Sequence, residues 1–175
     1  MKNVRLAAVA STLAVAALAG CAGHSAGPTA TAQLEPTRGN TTAGTVSFVQ
    51  SGDVVKVSGE IRGLKASAEH GFHVHEKGDC SSGDGMSTGG HFNPGGKAHG
   101  HHGHGDHHTG DLPSLKADAN GVAKFSFESR TIRVGSGDNN IVGKGLIVHR
   151  DPDDYKTQPT GNAGPRLACA VIAAK

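Results

Sequence analysis

His73 and His75 flank Val74 in the stretch Gly71-Phe72-His73-Val74-His75. On a strand, alternate side chains share a face, so both imidazoles point one way and Val74 points toward the core. Two imidazoles on one strand face form half of a site for a metal that favours nitrogen, such as copper or zinc. The same spacing also suits a pair of structural histidines. Further along stand His91, His99, His108 and Asp111. Three imidazoles and one carboxylate make a closed four-ligand set suited to tetrahedral zinc. His149 ends the apolar run Leu146-Ile147-Val148 and offers another imidazole.

These side chains need a scaffold. The chain has 175 residues, enough for one domain with appendages. Glycine is abundant, at 27 residues, aromatic side chains are few, and no segment after residue 20 keeps a helical period. Strands are expected over 45–49, 54–61, 71–75, 114–118, 122–127, 141–149 and 167–172, with hairpin turns at Ser51-Gly52-Asp53 and Asn120-Gly121. This pattern predicts an all-β fold, an antiparallel Greek-key sandwich or barrel of about eight strands. Two long segments, 76–112 and 150–165, lack apolar periodicity. Loops of that length need something to order them, and metal ions or a disulfide can serve.

The N-terminus has a different character. Lys2 and Arg5 lead into an apolar run from Leu6 to Leu18, too short to span a bilayer comfortably and suited to a secretory signal. Leu18-Ala19-Gly20-Cys21 resembles a bacterial lipobox, which implies cleavage before Cys21 and acylation of that cysteine. Ala22 follows, not an acidic residue, so the expectation is an outer-membrane anchor in the bacterial cell envelope, facing the periplasm. Residues 1–20 are thus expected to be a lipoprotein signal peptide, 21–42 an acylated cysteine and flexible tether, and 43–175 the folded domain. Of 17 Lys and Arg residues two lie in the leader, which leaves 15 against 15 Asp and Glu. There is no polybasic run, so nucleic acid is not an expected partner. Export sustains a disulfide, for which Cys80 and Cys169 are the candidate pair once Cys21 carries lipid; two free thiols are the alternative.

Five segments resemble, in order, the copper,zinc superoxide dismutase family: GFHVHEKGDC (71–80), GGHFNP (89–94), the zinc loop ending HTGDL (108–112), LIVHRDPDD (146–154) and GNAGPRLACAVI (161–172). The resemblance runs from about Ala43 to Lys175. It implies copper on His73, His75, His91 and His149, and zinc on His91, His99, His108 and Asp111, with His91 shared as an imidazolate. It makes Asp153 the carboxylate that orients a histidine on each side, Arg166 the arginine beside copper, and Cys169 a disulfide cysteine. The implied reaction is disproportionation of superoxide to oxygen and hydrogen peroxide by a two-step copper cycle, in which His91 leaves copper and takes up a proton. Arg166 would attract and orient the anionic substrate.

The segment 100–107, GHHGHGDH, adds His101, His102, His104 and His107, none of which matches a ligand of the family pattern. They read either as solvated loop residues or as a metal-gathering segment. His107 competes with His108, and His101 with His99, for the zinc positions. The 12 histidines also fit a non-catalytic zinc or copper buffer of the cell envelope, which Arg166 and the complete copper set argue against. Monomer and homodimer both stay open.

Overall fold

The computed structural model describes residues 27–175. The expected signal peptide and Cys21 lie outside the described residues. The described backbone forms β1 (Thr29–Pro36), β2 (Ala43–Ser51), β3 (Val54–Arg62), β4 (Glu69–His70), β5 (Phe72–His75), β6 (Leu115–Lys116), β7 (Ala123–Ser129), β8 (Gly145–His149), β9 (Arg166–Val171) and β10 (Ala173–Ala174), with a 3-10 turn at Met86–Thr88.

One antiparallel sheet runs β5-β8-β9-β1-β2-β3-β7, and β10 also pairs with β1. A second ladder joins β4 to β6. Because β4 leads directly into β5 and β6 lies against β7, the small ladder connects the two edges of the long path. Phe72 on β5 and Phe125 on β7 meet edge to face, ring centroids 5.5 Å apart, so the sheet curls around a shared interior. The all-β antiparallel expectation therefore holds.

The interior is filled by alternating strand residues. On β2 and β3, Val46, Phe48, Val55, Val57 and Ile61 are fully buried while their neighbours face out. Each full burial of such a side chain is worth roughly 1.5–3 kcal/mol.

The tether expected over 21–42 is a correction. Thr29–Pro36 is a strand, held between β2 and β9, and the folded domain begins there rather than at Ala43. Ala30, Ala32 and Leu34 are fully buried and alternate with Thr31, Gln33 and Glu35. The period of two is present, but small alanines and threonines carry it, and that composition also describes a linker. The Asn120-Gly121 turn forms, with Asp118 Oδ1 accepting from the Asn120 and Val122 amides. It does not close a two-strand ladder, because β6 pairs with β4. The strand expected over 141–149 starts only at Gly145, since Ile141–Lys144 closes a turn.

Candidate metal centre

β5 is the foundation. One edge pairs with β8, so His73 lies opposite Ile147 and His75 opposite Gly145. The other edge is met by the long loop, where His73 bridges to Asp111 and His75 to His91. Main-chain bonds from Val74 to Gly110, Phe92 to Val74 and Gly110 to Phe92 seal that seam. Four candidate ligands from two distant parts of the chain are thereby set side by side.

Two groups result. The ligand atoms of His73, His75, His91 and His149 lie within 4.8 Å of one another, and so do those of His91, His99, His108 and Asp111. All seven residues are buried, and only His91 belongs to both groups. His99 and His108 are in the cluster, and His101 and His107 are not.

Outer hydrogen bonds fix which ring nitrogen faces inward. His75 Nδ1 pairs with the Gly89 carbonyl at 2.9 Å and His149 Nδ1 with the Gly164 carbonyl at 3.1 Å. His73 Nε2 meets Asp153 Oδ2 at 2.8 Å. That leaves His73 Nδ1, His75 Nε2, His149 Nε2 and His91 Nε2 buried with no protein partner. Four desolvated lone pairs converging without a donor are costly unless a cation takes them. Burial pushes His73 down to about 4 despite its bond to Asp153, and burial followed by neighbouring positive charge holds His75 and His149 well below the usual range. These rings are neutral at pH 7, the form that ligates metal.

The second group is arranged around a carboxylate. Asp111 Oδ1 lies 2.8 Å from His91 Nδ1, and Oδ2 lies 3.0 Å from His99 Nδ1. Oδ2 also accepts from the main-chain amides of His108 and Gly100, which orients it. Burial alone would raise Asp111, but its hydrogen bonds to His91 and His99 hold it far below the carboxylate range. His99 lies between Asp111 and Asp153, and although burial opposes it, these bonds raise it to about 9. The cluster is built for positive charge, and His91, His99, His108 and Asp111 would hold a divalent cation there. The residues present therefore fit two metal ions, one in an all-imidazole set and one in a mixed set.

Asp153 joins the two halves. Its Oδ2 holds His73 and its Oδ1 holds His99 at 2.9 Å. The Tyr155 amide donates to Oδ1 at 2.7 Å. Gly161, in the left-handed region at φ 65°, packs so close that a Cβ there would collide with Asp153 Oδ1 and His99 Nε2.

Arg166 stands directly across the β8–β9 ladder from His149. Its guanidinium donates to Thr88 Oγ1 at 2.7 Å and to the carbonyls of Gly85 and Gly89, the latter at 2.7 Å. A disulfide joins Cys80 to Cys169, which ties the same loop to the strand that carries Arg166.

A model of the copper/zinc superoxide dismutase family (SODC) matches residues 42–172. The chain belongs to the copper/zinc superoxide dismutase family. Superoxide dismutase [Cu-Zn] from Paramecium bursaria Chlorella virus 1 is 47% identical over 135 residues, spanning 74% of this chain and 71% of that protein. The crystal structure of the clock protein EA4 matches with a TM-score of 0.77 at 41% identity, covering 84% of this chain and 94% of that one. The cofactors of a copper/zinc superoxide dismutase are those for which the two clusters are built.

Sequence reasoning did not find Thr88 or Gln158. Thr88 is a loop threonine identified only by its contact with Arg166, and Gln158 reaches the main chain of His99 from across the second loop. His70 is fully buried and bonds the His149 carbonyl at 2.9 Å, a structural role rather than a ligand's.

Proposed function

We propose that the protein disproportionates superoxide to oxygen and hydrogen peroxide, with copper held by His73, His75, His91 and His149 and zinc by His91, His99, His108 and Asp111. The observation that carries this reading is that His91 alone is common to both clusters. Bound copper supplies one-electron redox chemistry, and bound zinc supplies a fixed charge that does not change oxidation state. His91 Nδ1 faces Asp111, and its Nε2 has no protein partner. Nε2 is thus the atom at which this ring can hold a proton destined for peroxide. Arg166, held by three acceptors on the disulfide-tethered loop, presents a fixed positive charge beside His149 to draw in and orient the anion. A metal buffer has no use for such an arginine.

The test is superoxide removal by protein loaded with copper and zinc, set against His149→Ala. The wild type should be active and the variant should lose nearly all turnover. An inactive wild type that still holds both metals would support the buffer reading.

The reading extends to location. Lys2 to Cys21 has the order of a lipoprotein signal, which supports an acylated Cys21 and attachment to the outer membrane in the bacterial envelope. Among the described residues no helix is long and apolar enough to cross a membrane. Cys21→Ser should abolish incorporation of labelled palmitate and move the protein to the soluble fraction; unchanged membrane association would overturn the anchor.

A further inference from the structure

The zinc-side loop carries four histidines that neither cluster uses, and they are not scattered. His101 and His104 have ring centroids 4.9 Å apart, inclined by 65°, and His102 and His107 are 5.7 Å apart at 69°. Within the buried clusters the corresponding separations are 5.1 Å for His75–His91 and 5.5 Å for His91–His108. The spare rings thus stand as two adjacent pairs, with His101 also 4.5 Å from the Tyr155 ring.

Three of the four are hydrogen-bonded in the way of His75 and His149. His102 Nδ1 pairs with the Asp111 carbonyl at 2.9 Å, His101 Nδ1 with the His102 carbonyl at 2.7 Å, and His107 Nδ1 with the Gly105 carbonyl at 3.2 Å. A neutral ring that donates from Nδ1 to a carbonyl keeps its lone pair on Nε2, the arrangement seen at His75 and His149. His107 Nε2 is itself shielded from solvent and has no protein partner. The turn that brings His104 back to His101 is closed by a main-chain bond of 3.1 Å between them. Asp106 is engaged with Lys97 at 3.2 Å.

We propose that this loop is a further metal-binding segment, taking zinc or copper(II) on the His101/His104 pair and on the His102/His107 pair, two imidazoles to an ion. Two imidazoles per pair, with water completing the shell, bind a borderline divalent cation more weakly and release it faster than a closed four-ligand set. The His102 bond to the Asp111 main chain places this weaker site on the backbone that carries the proposed zinc ligand. The site does not depend on turnover.

The experiment is equilibrium dialysis of protein already filled with copper and zinc, against zinc and separately against copper(II), with bound metal counted by mass spectrometry. The expected result is at least one further equivalent per chain with either ion. The fourfold variant His101→Asn, His102→Asn, His104→Asn, His107→Asn should hold two equivalents and bind the third at least tenfold more weakly. A wild type that stops at two equivalents, or a variant that binds the third unchanged, overturns the proposal. If the fourfold variant fails to retain its first two ions, the exposed pair His101→Asn/His104→Asn decides. A several-fold weaker third equivalent supports the site, and an unchanged one overturns it.

Discussion

The side-chain amide of Gln158 closes on both main-chain groups of His99: Oε1 accepts from its amide at 2.9 Å and Nε2 donates to its carbonyl at 3.0 Å. His99 is otherwise positioned by Asp111 and Asp153. Two part-buried hydrogen bonds contribute roughly 1–2 kcal/mol together. Gln158→Ala is therefore expected to speed zinc loss to a chelator by about 5–30-fold, while the fully loaded protein keeps its turnover. Equal release rates for variant and wild type would show that the clasp contributes nothing to His99.

Thr88 is one of three acceptors that orient Arg166. Replacing Thr88 by Val keeps the shape but removes the hydroxyl that accepts from the guanidinium. A charge-assisted bond is worth about 1.5–3 kcal/mol, but the Gly85 and Gly89 carbonyls still hold the group. The expected outcome is a fall of about three- to tenfold in kcat/KM, with the salt dependence retained because the charge remains. Arg166→Ala should lower the rate further and flatten the salt dependence. Stopped-flow measurement at several ionic strengths separates the two.

Reducing the Cys80–Cys169 bond should cost both stability and rate. The bond closes a loop of 89 residues, for which chain entropy gives about 4–5 kcal/mol. The loop it anchors also supplies every acceptor for Arg166. Cys169→Ser is expected to lower the urea midpoint and kcat/KM together. A loss of stability with undiminished kcat/KM would mean the loop keeps Arg166 in place unaided.

The metal-free protein should be most stable near neutral pH. His73, His75 and His149 are held below their unfolded value of about 6.5, so below that pH the unfolded chain binds protons that the folded one refuses. Their contribution is present above pH 6.5 and is lost as pH falls below it, for His73 down to about 4, at up to about 1.4 kcal/mol per pH unit per histidine. His99 works in the opposite sense. Raised to about 9, it contributes fully below about 6.5 and that contribution is lost as pH rises through 9. Urea midpoints of metal-free protein between pH 4.5 and 9.5 should pass through a maximum, steeper on the acid side. A flat profile would contradict the burial of the three rings.

The sequence by itself determined the chemistry and most of the strands. His73, His75, His91, His99, His108, Asp111 and His149 were legible because metal ligation restricts residue type, and period-two burial marks β2 and β3 locally. β1 was lost because its small residues are buried only by virtue of β2 on one side and β10 and β9 on the other, a fact absent from their own neighbourhood. The same holds for β6, whose partner is β4 rather than the strand after its turn. The family spacing favoured His99 over His101 and His108 over His107, and the fold brings those two rings to Asp111. Tertiary structure alone placed Thr88 on Arg166 and Gln158 on His99, because hydrogen bonds between residues 78 and 59 positions apart leave no trace in local spacing.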